Sequence, residues 1–371
     1  MKNISIAAPI IGEEEKAAVM RVLDSGMLVQ GEEVKGFEQE FASYSNIKHG
    51  IATSNGTTAL TTALMASGVG LGDEVIIPSF SFVATATAVL SARAVPVFVD
   101  IEPDTFCMDP DAIEEAITDK TKAIMPVHLY GHLANMDAIA AIAEKHGLAI
   151  LEDAAQAHGA KMGDKFAGSW GPASFSFYPS KNMTTGEGGM ILTNDDHVDE
   201  QARMVRNHGM STQYFHEVVG FNFRMTNLMA AIGRVQLNSL AEWTQKRIHN
   251  AGYLSERLES VRVPIVKDGY QHVFHQYTVL APEGADRDAM VKQLNDNGIG
   301  ARVYYPLPIH CQPVIREMRE ASGAVCTCGP TLDCPHFPVT NAMTHRVFSL
   351  PVHPQLSQED LERVVDEVNK L

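Results

Sequence analysis

The hydrophobic and polar positions along the chain follow two different periods. Before residue 45, apolar residues recur at the spacing of one helical face. This spacing predicts a helix over residues 13–23 and a second that starts at Gly31 and buries Val34, Phe37 and Phe41. From residue 49 onward, short apolar runs rich in β-branched residues alternate with helical stretches. This alternation is typical of an α/β protein with a mostly parallel sheet.

Seven apolar runs predict the strands of that sheet. They lie at residues 49–54, 74–78, 95–101, 123–128, 148–152, 173–178 and 189–193. Too few residues join the last two runs to form a crossover helix. We therefore expect one antiparallel strand beside its parallel neighbours.

The pattern changes again in the C-terminal third of the chain. A helix through residues 229–237 carries apolar residues widely around its surface, which predicts burial in the core or at a subunit interface. From about residue 242, a polar-faced helix leads to strand-like residues 274–280 and to further helices, a pattern that favours a smaller α+β domain. We predict a large cofactor-binding domain over residues 1–240 and a small C-terminal domain over residues 241–371.

Composition limits the class of partner. The chain has 371 residues, enough for two hydrophobic cores, and a net charge of −16. An acidic surface argues against binding to nucleic acid or to an acidic membrane, since a phosphate backbone needs a basic face. The first residues resemble no signal peptide, and no apolar run approaches membrane-spanning length. We expect a cytoplasmic protein with no nucleic-acid or membrane partner.

Candidate chemistry lies in the loops that follow the predicted strands, where open α/β sheets bind ligands. After the first run, Ser54, Gly56 and Thr57 open a helix whose free N–H groups suit a phosphate. The same residues also suit an ordinary helix cap by Ser54 or Thr57. After the second run, Phe80 and Phe82 could stack on a planar ring or pack in the core.

Two later loops carry an acid and a lysine. Glu152 and Asp153 end an apolar run, and a carboxylate there is costly without a cation or hydrogen-bond donors; capping of the next helix is the alternative. Lys181 lies between an apolar run and a glycine-rich turn, although most such lysines are only solvated. A carboxylate for a ring nitrogen, a lysine that forms an imine and a helix terminus for a phosphate are the requirements of pyridoxal phosphate. The sequence therefore predicts a pyridoxal-phosphate site.

Other candidates are less specific. Asn222 and Arg224 could bind an anion or could be turn and surface residues. Tyr305 and His310 lie in a proline-stiffened segment and could contact a polar substrate or form a packed corner.

The cysteines are mostly near the C-terminus. Five is an odd number, so a complete disulfide framework cannot close within one chain. Cys326, Cys328, Cys334 and His336 could bind a structural zinc ion, although their spacing is not a common zinc-knuckle pattern. A metal-free reduced loop is the alternative.

Along nearly its whole length, the chain resembles the nucleotide-sugar aminotransferases of the DegT/DnrJ/StrS type. These are pyridoxal-phosphate enzymes of fold type I. The motifs that carry the resemblance lie at residues 53–60, 78–85, 152–159, 175–182, 186–189 and 220–225. As a set, and in this order, they are highly specific to that family.

The resemblance implies a role for each matching residue. Lys181 would bind the cofactor covalently, Asp153 would partner the pyridine nitrogen, Gln156 would lie near the ring hydroxyl, and Phe82 would stack on the ring. The residues that would hold the cofactor phosphate are Gly56, Thr57 and Ser176, together with Asn222 from the second subunit of a homodimer with shared active sites. The segment with Cys326, Cys328 and Cys334 departs from the family pattern.

The resemblance also implies the reaction. An amino group would pass from glutamate to a keto-sugar attached to a nucleoside diphosphate, as in amino-sugar and polysaccharide biosynthesis. One alternative is a sugar dehydratase of the same family, although those enzymes have a histidine where this chain has Lys181. The other is a non-catalytic cofactor-binding regulator, and no DNA-binding module or basic region favours it.

Overall fold

A computed structural model describes residues 3–321 and 334–371. The helices are α1 Glu13–Ser25, α2 Glu32–Tyr44, α3 Gly56–Ala66, α4 Ala84–Ser91, α5 Ile113–Ala116, α6 Met136–His146, α7 Asp196–Val205, α8 Asn227–Ser255, α9 Arg287–Asp296, α10 Pro313–Ala321, α11 Pro338–Arg346 and α12 Gln358–Val368. The strands are β1 His49–Thr53, β2 Glu74–Pro78, β3 Val95–Val99, β4 Thr121–Ile124, β5 Ala149–Ile150, β6 Glu152–Asp153, β7 Lys161–Met162, β8 Lys165–Phe166, β9 Ala173–Ser176, β10 Gly189–Thr193, β11 Met210–Thr212, β12 Phe215–His216, β13 Tyr270–Gln271, β14 Tyr277–Leu280 and β15 Val347–Leu350.

The central sheet consists of two four-stranded parts. One has the order β3-β2-β4-β5, and the other has the order β1-β10-β9-β6. Residues 149–153 join the two parts, because β5 pairs with β4 while β6 pairs with β9. A parallel bridge from Val127 to Asp153 closes the junction. The apolar runs are buried on both faces, which is characteristic of a parallel sheet covered by helices.

The predicted strands agree well with this sheet. All seven apolar runs contribute to it, and β10 is antiparallel to both β1 and β9, as its short connection to β9 predicts. The fifth run differs in being split into β5 and β6. The split has a physical cause, because the chain leaves the ladder with β4 there and enters the ladder with β9.

The strand directions bring several loops to one edge of the sheet. The C-terminal ends of β1, β2, β6 and β9 lie there, together with the N-terminal end of the antiparallel β10. Residues 54–57, 153–156 and 177–188 therefore meet at this edge. This is the edge at which open α/β sheets bind ligands.

Helix α8 links the two halves of the chain. It is continuous from Asn227 to Ser255, so the predicted boundary at residue 241 lies inside a helix and not in a linker. Leu240 packs with the large core, whereas Ala251 and Leu254 pack with a C-terminal core cluster. The sequence suggested two helices because the exposed face becomes more polar near residue 242, but no helix-breaking residue interrupts the run.

The C-terminal core is built around β14 and β15. These strands pair antiparallel, and helices α9 and α12 pack beside them through Leu294 and Leu361. Ile4, from the other end of the chain, also belongs to this cluster. None of the helices in residues 3–321 and 334–371 is long and apolar enough to cross a membrane.

Candidate active site

Helix α3 begins at the ligand-binding edge. Asn55 caps it, because its side-chain oxygen accepts a hydrogen bond from the N–H of Thr58 at 2.9 Å. The cap is therefore Asn55, and not Ser54 or Thr57 as the sequence suggested. The N–H groups of Gly56 and Thr57 donate no hydrogen bond within the part of the chain that the structure describes. They are the two groups that an anion at this terminus would contact.

Gly56 lies directly against the strand end that precedes Lys181. A Cβ atom at this position would lie 2.7 Å from the Cβ atom of Ser176, which is closer than two such atoms can approach. Glycine is therefore required for β9 and the start of α3 to lie this close. Ser176 is partly buried at the end of β9, with its hydroxyl beside the same helix terminus.

We expect Gly56→Ala to weaken cofactor binding, because the added methyl group must displace either Ser176 or the first turn of α3. Overpacking of this kind costs about 1–3 kcal/mol, which corresponds to about a five- to a hundredfold loss of affinity if it all acts on the bound state. Titration of cofactor-free protein with pyridoxal phosphate measures the change. Gly70→Ala is the matched control, since a Cβ there meets open space. Equal affinities for the two variants would contradict the tight contact.

Asp153 is buried at the end of β6. Its Oδ2 accepts a hydrogen bond from the hydroxyl of Thr85 at 2.8 Å, and its Oδ1 accepts one from the N–H of Ala155 at 3.2 Å. Burial raises the pKa of Asp153, whereas these hydrogen bonds and the charge of Lys181 act to lower it. The carboxylate is thus fixed in position, beside the lysine and short of a full set of donors.

Glu152, the neighbouring acid, has a different environment. Its carboxylate is fully buried and has four donors. They are the N–H groups of Gly168, Trp170 and Gly171 and the imidazole of His128. The sequence required a partner for one of the two acids, and the structure supplies partners for both. Glu152 stabilises the junction of the sheet, and Asp153 faces the ligand-binding edge.

Lys181 lies in the turn between β9 and β10. Its N–H donates to the carbonyl of Tyr178 at 2.8 Å, and the flanking residues hold the turn from two sides. Asn182 donates to the carbonyl of Val273 at 3.0 Å, and the N–H of Thr184 donates to Gln236 on α8 at 3.4 Å. Burial lowers the pKa of Lys181 to about 8, while the charge of Asp153 acts in the opposite direction.

This pKa predicts how cofactor-free protein reacts with pyridoxal phosphate. Only the neutral amine attacks an aldehyde, so the rate of covalent attachment should rise with pH and level off above about pH 8. A solvated lysine would continue to gain reactivity up to about pH 10.4. Asp153→Asn should move the midpoint to lower pH, because Asp153 favours the ammonium form. Stopped-flow absorbance measures both profiles, and a midpoint near pH 10 would contradict the burial of Lys181.

Gln156, Tyr305 and Phe82 form one side of the site. The amide nitrogen of Gln156 donates to the hydroxyl of Tyr305 at 2.9 Å, and its oxygen accepts from the N–H of Tyr130 at 2.8 Å. The rings of Phe82 and Tyr305 lie 6.4 Å apart between centroids. Phe82 is 56% exposed, whereas Phe80 is fully buried, so Phe82 is the ring available for stacking.

The remaining sequence candidates are more widely spread. Phe223 and Arg224 pair with Ser54 and Thr53 through the backbone, which places Arg224 beside the end of β1. Asn222 is exposed next to them. His310 is fully buried between the rings of Phe98 and Phe337, and the structure does not bring it to the group around Lys181.

The metal prediction falls largely outside the described residues. Cys326 and Cys328 belong to the part of the chain that the structure does not describe. Of the other two candidates, Cys334 is buried and His336 is exposed. Within residues 3–321 and 334–371, no group of three or more His, Cys, Asp or Glu side chains could hold a metal ion.

Sequence reasoning missed three residues near Lys181. Thr85 donates to Asp153, and its only signal was its place at the end of the 78–85 motif. His158 and His275 are buried, and both lie close enough to Lys181 for its charge to act on them. Burial is the main cause of their lowered pKa values, and it lowers the pKa of His158 to about 3. Both imidazoles are therefore neutral. His275 had no local signal, because it lies 94 positions from Lys181 in the chain.

Comparisons with known proteins identify the family. The profile of the DegT/DnrJ/EryC1/StrS aminotransferase family matches residues 9–369. The pleiotropic regulatory protein of Geobacillus stearothermophilus is 44% identical, covering 96% of this chain and 95% of the relative. The UDP-N-acetyl-3-dehydro-alpha-D-glucosamine 3-aminotransferase of Acidithiobacillus ferrooxidans is 39% identical, covering 96% and 94%. A structure of NtdA from Bacillus subtilis with bound cofactor PMP is 32% identical, with a TM-score of 0.86 over 96% of this chain and 80% of that one.

These matches confirm the predicted family, the fold and the class of enzyme. The family match and the structural similarity both extend over nearly the whole chain, as the six motifs predicted. The chain belongs to the DegT/DnrJ/EryC1/StrS aminotransferase family.

Proposed function

We propose that this protein is a pyridoxal-phosphate-dependent aminotransferase that converts a nucleotide-linked keto-sugar into an amino sugar, with glutamate as the amino donor. The observation that carries the proposal is the position of Lys181 at the ligand-binding edge, close enough to Asp153 for their charges to interact. Burial lowers the pKa of Lys181 to about 8, so this lysine is a nucleophile near neutral pH. The retained lysine also argues against the dehydratase alternative.

The residues at this edge fit pyridoxal phosphate. The free N–H groups of Gly56 and Thr57 suit its phosphate, and the lack of a Cβ atom at Gly56 lets this helix terminus lie against Ser176. The exposed ring of Phe82 suits its planar ring. The buried carboxylate of Asp153 suits its ring nitrogen, because it lacks a cationic hydrogen-bond donor of its own.

When bound, the cofactor supplies an electron sink for the bond that is broken at the amino-bearing carbon. The protein supplies the positions of the charges and protons. Asp153 would keep the ring nitrogen protonated, and Thr85 and Ala155 hold Asp153 in place. Lys181 would hold the cofactor; once released, its neutral amine would accept a proton from the substrate carbon and, as an ammonium, donate it again. Because the imidazoles of His158 and His275 are neutral, the charge that acts on Lys181 is that of Asp153.

The names of relatives support the substrate class. The Acidithiobacillus relative is named for amination of a UDP-linked keto-sugar, and the Streptomyces venezuelae relative, 38% identical, is named as a transaminase that forms a dTDP-linked amino sugar. The Geobacillus relative is named as a regulator. A regulator without catalysis would not need a lysine with a lowered pKa at this position.

A homodimer with shared active sites is part of the proposal. Large apolar side chains are exposed on α1, on the segment that follows it and in the residues before Asn222. They include Met20, Leu23, Met27, Val29, Tyr214, Phe215 and Val219. A second subunit packed against these segments would remove the side chains from water. Sedimentation equilibrium should give twice the chain mass, and an active monomer would contradict this part.

The proposed function is tested in two half-reactions. Glutamate should convert the lysine-bound cofactor to its amino form, with loss of the aldehyde-form absorbance. Nucleotide-linked 3-keto and 4-keto sugars should then restore that absorbance and yield an amino sugar. A protein that binds cofactor but does neither is a regulator. Release of a deoxygenated sugar without amine transfer would identify a dehydratase.

A further inference from the structure

One buried arginine has no acidic partner in the part of the chain that the structure describes. Arg247, on α8, is 6% exposed, and its Nη1 donates to the carbonyl oxygens of Phe274 and His275 at 3.1 and 3.4 Å. No carboxylate among the described residues forms an ion pair with it, and burial lowers its pKa to about 10. Buried charges are normally paired, so this guanidinium has unused capacity to bind an anion.

The unused capacity lies on one edge of the guanidinium. Nε is buried and has no hydrogen-bond partner in the described part of the chain. Nη2 donates no hydrogen bond there either, since both bonds to carbonyls come from Nη1. The Nε and Nη2 groups point two parallel N–H bonds in one direction. This is the fork that binds the two oxygens of a carboxylate.

Two cavities flank Arg247 and both reach the turn that carries the active-site lysine. The first is also lined by Lys181, Ser180 and Trp243. The second is also lined by Ser180, His275 and Tyr304. Residues 7–10 form a wall of the first cavity, held by hydrogen bonds from Gln355 and Gln236. An anion at Arg247 would therefore lie near the turn that carries Lys181.

We propose that Arg247 binds a carboxylate of the amino donor through Nε and Nη2 and so directs the donor amine toward Lys181. This inference rests on the proposed function, because it assigns the donor subsite of that reaction. One guanidinium matches one carboxylate. The cavities are lined by no other arginine and by no lysine except Lys181. A nucleoside diphosphate is larger and carries more charge than this subsite provides for.

Arg247→Met tests the subsite through the choice of donor. The variant should react with glutamate about ten- to a hundredfold more slowly, the range for loss of a charged hydrogen-bond pair. Its reaction with propylamine, which has no carboxylate, should stay within about threefold of wild type, as should reamination of the keto-sugar. Equal losses with glutamate and propylamine would overturn the proposal, because they would indicate a general structural defect.

A binding measurement gives a second readout that needs no turnover. Isothermal titration of the cofactor-loaded protein with glutarate should show saturable binding that Arg247→Met abolishes and Arg247→Lys weakens. Arg247→Lys keeps the charge but loses the fork, and it serves if the methionine variant does not fold. Unchanged glutarate affinity in either variant would overturn the proposal. If wild-type protein does not react with glutamate at all, the proposed function fails, whereas glutarate binding still decides the role of Arg247.

Arg287→Met is the matched control. Arg287 is also buried, and its Nη1 also donates to two backbone carbonyls, but its Nε already pairs with Asp288. Loss of this arginine should lower the thermal stability and leave glutarate affinity unchanged. A loss of affinity as large as that of Arg247→Met would show that any buried arginine has this effect, and it would contradict the subsite.

Discussion

Lys181→Ala should fold and bind cofactor non-covalently, yet lose nearly all transamination. Proton transfer by a positioned side chain contributes about a hundred- to a ten-thousandfold in rate, and loss of covalent attachment adds to it. The side chain is partly buried and makes no hydrogen bond within residues 3–321 and 334–371, so the substitution should cost little stability. Single-turnover absorbance with glutamate measures the rate, and thermal unfolding monitored by circular dichroism measures the stability.

Two further variants separate the nucleophile from the charge. Lys181→Arg keeps a cation beside Asp153 but cannot form an imine, and it should be as inactive as Lys181→Ala. Lys161→Ala removes a lysine from strand β7, outside the group around Lys181, and should leave the rate unchanged. Borohydride reduction followed by peptide mass analysis should locate the cofactor on Lys181. A cofactor found on another lysine, or substantial activity in Lys181→Ala, would contradict its role.

Asp153→Asn should lower the rate of the glutamate half-reaction by about a hundred- to a thousandfold, the usual cost of removing one preorganised electrostatic partner. The amide keeps the size of the side chain and can still accept the hydrogen bond from Thr85. It cannot hold a proton on the ring nitrogen as a carboxylate does. The absorbance spectrum of the bound cofactor should therefore change to that of a cofactor whose ring nitrogen is not protonated. This readout is independent of turnover.

The adjacent acid supplies the control for Asp153. Glu152→Gln places an NH₂ group among N–H donors at the junction of the sheet and should cost about 1–3 kcal/mol of unfolding free energy. Because Glu152 faces away from the group around Lys181, the folded variant should keep the cofactor spectrum of wild type. A spectral change in Glu152→Gln as large as that in Asp153→Asn would show that the effect is structural.

The large sheet was predictable because its signals are local. Each strand is a short apolar run, and the antiparallel direction of β10 follows from the length of the connection to β9. The division of the chain was less predictable. Helix α8 has polar residues where the sequence suggested a new domain, but packing of Leu240 and Leu254 in two different clusters keeps it as one helix. Tertiary contacts of this kind leave no local signal.

The site was predictable where its residues follow strand ends. Lys181, Asp153, Gly56 and Phe82 all lie at a strand end or shortly after one, so topology alone brings them to one edge. His310 was chosen for its chemistry in a proline-rich segment, but it packs between two phenylalanine rings. Arg247 was overlooked for the opposite reason, because an arginine on a long helix gives no indication in sequence that it is buried without an acidic partner.

The most direct test of the account follows the nitrogen atom. Wild-type protein, pyridoxal phosphate, [¹⁵N]glutamate and a nucleotide-linked keto-sugar are incubated together, and the nucleotide sugar is analysed by mass spectrometry. The account predicts a nucleotide-linked amino sugar that carries the label, with one 2-oxoglutarate formed for each label transferred and none formed by Lys181→Ala. A nucleotide sugar without label, in the presence of bound cofactor and an intact Lys181, would contradict it.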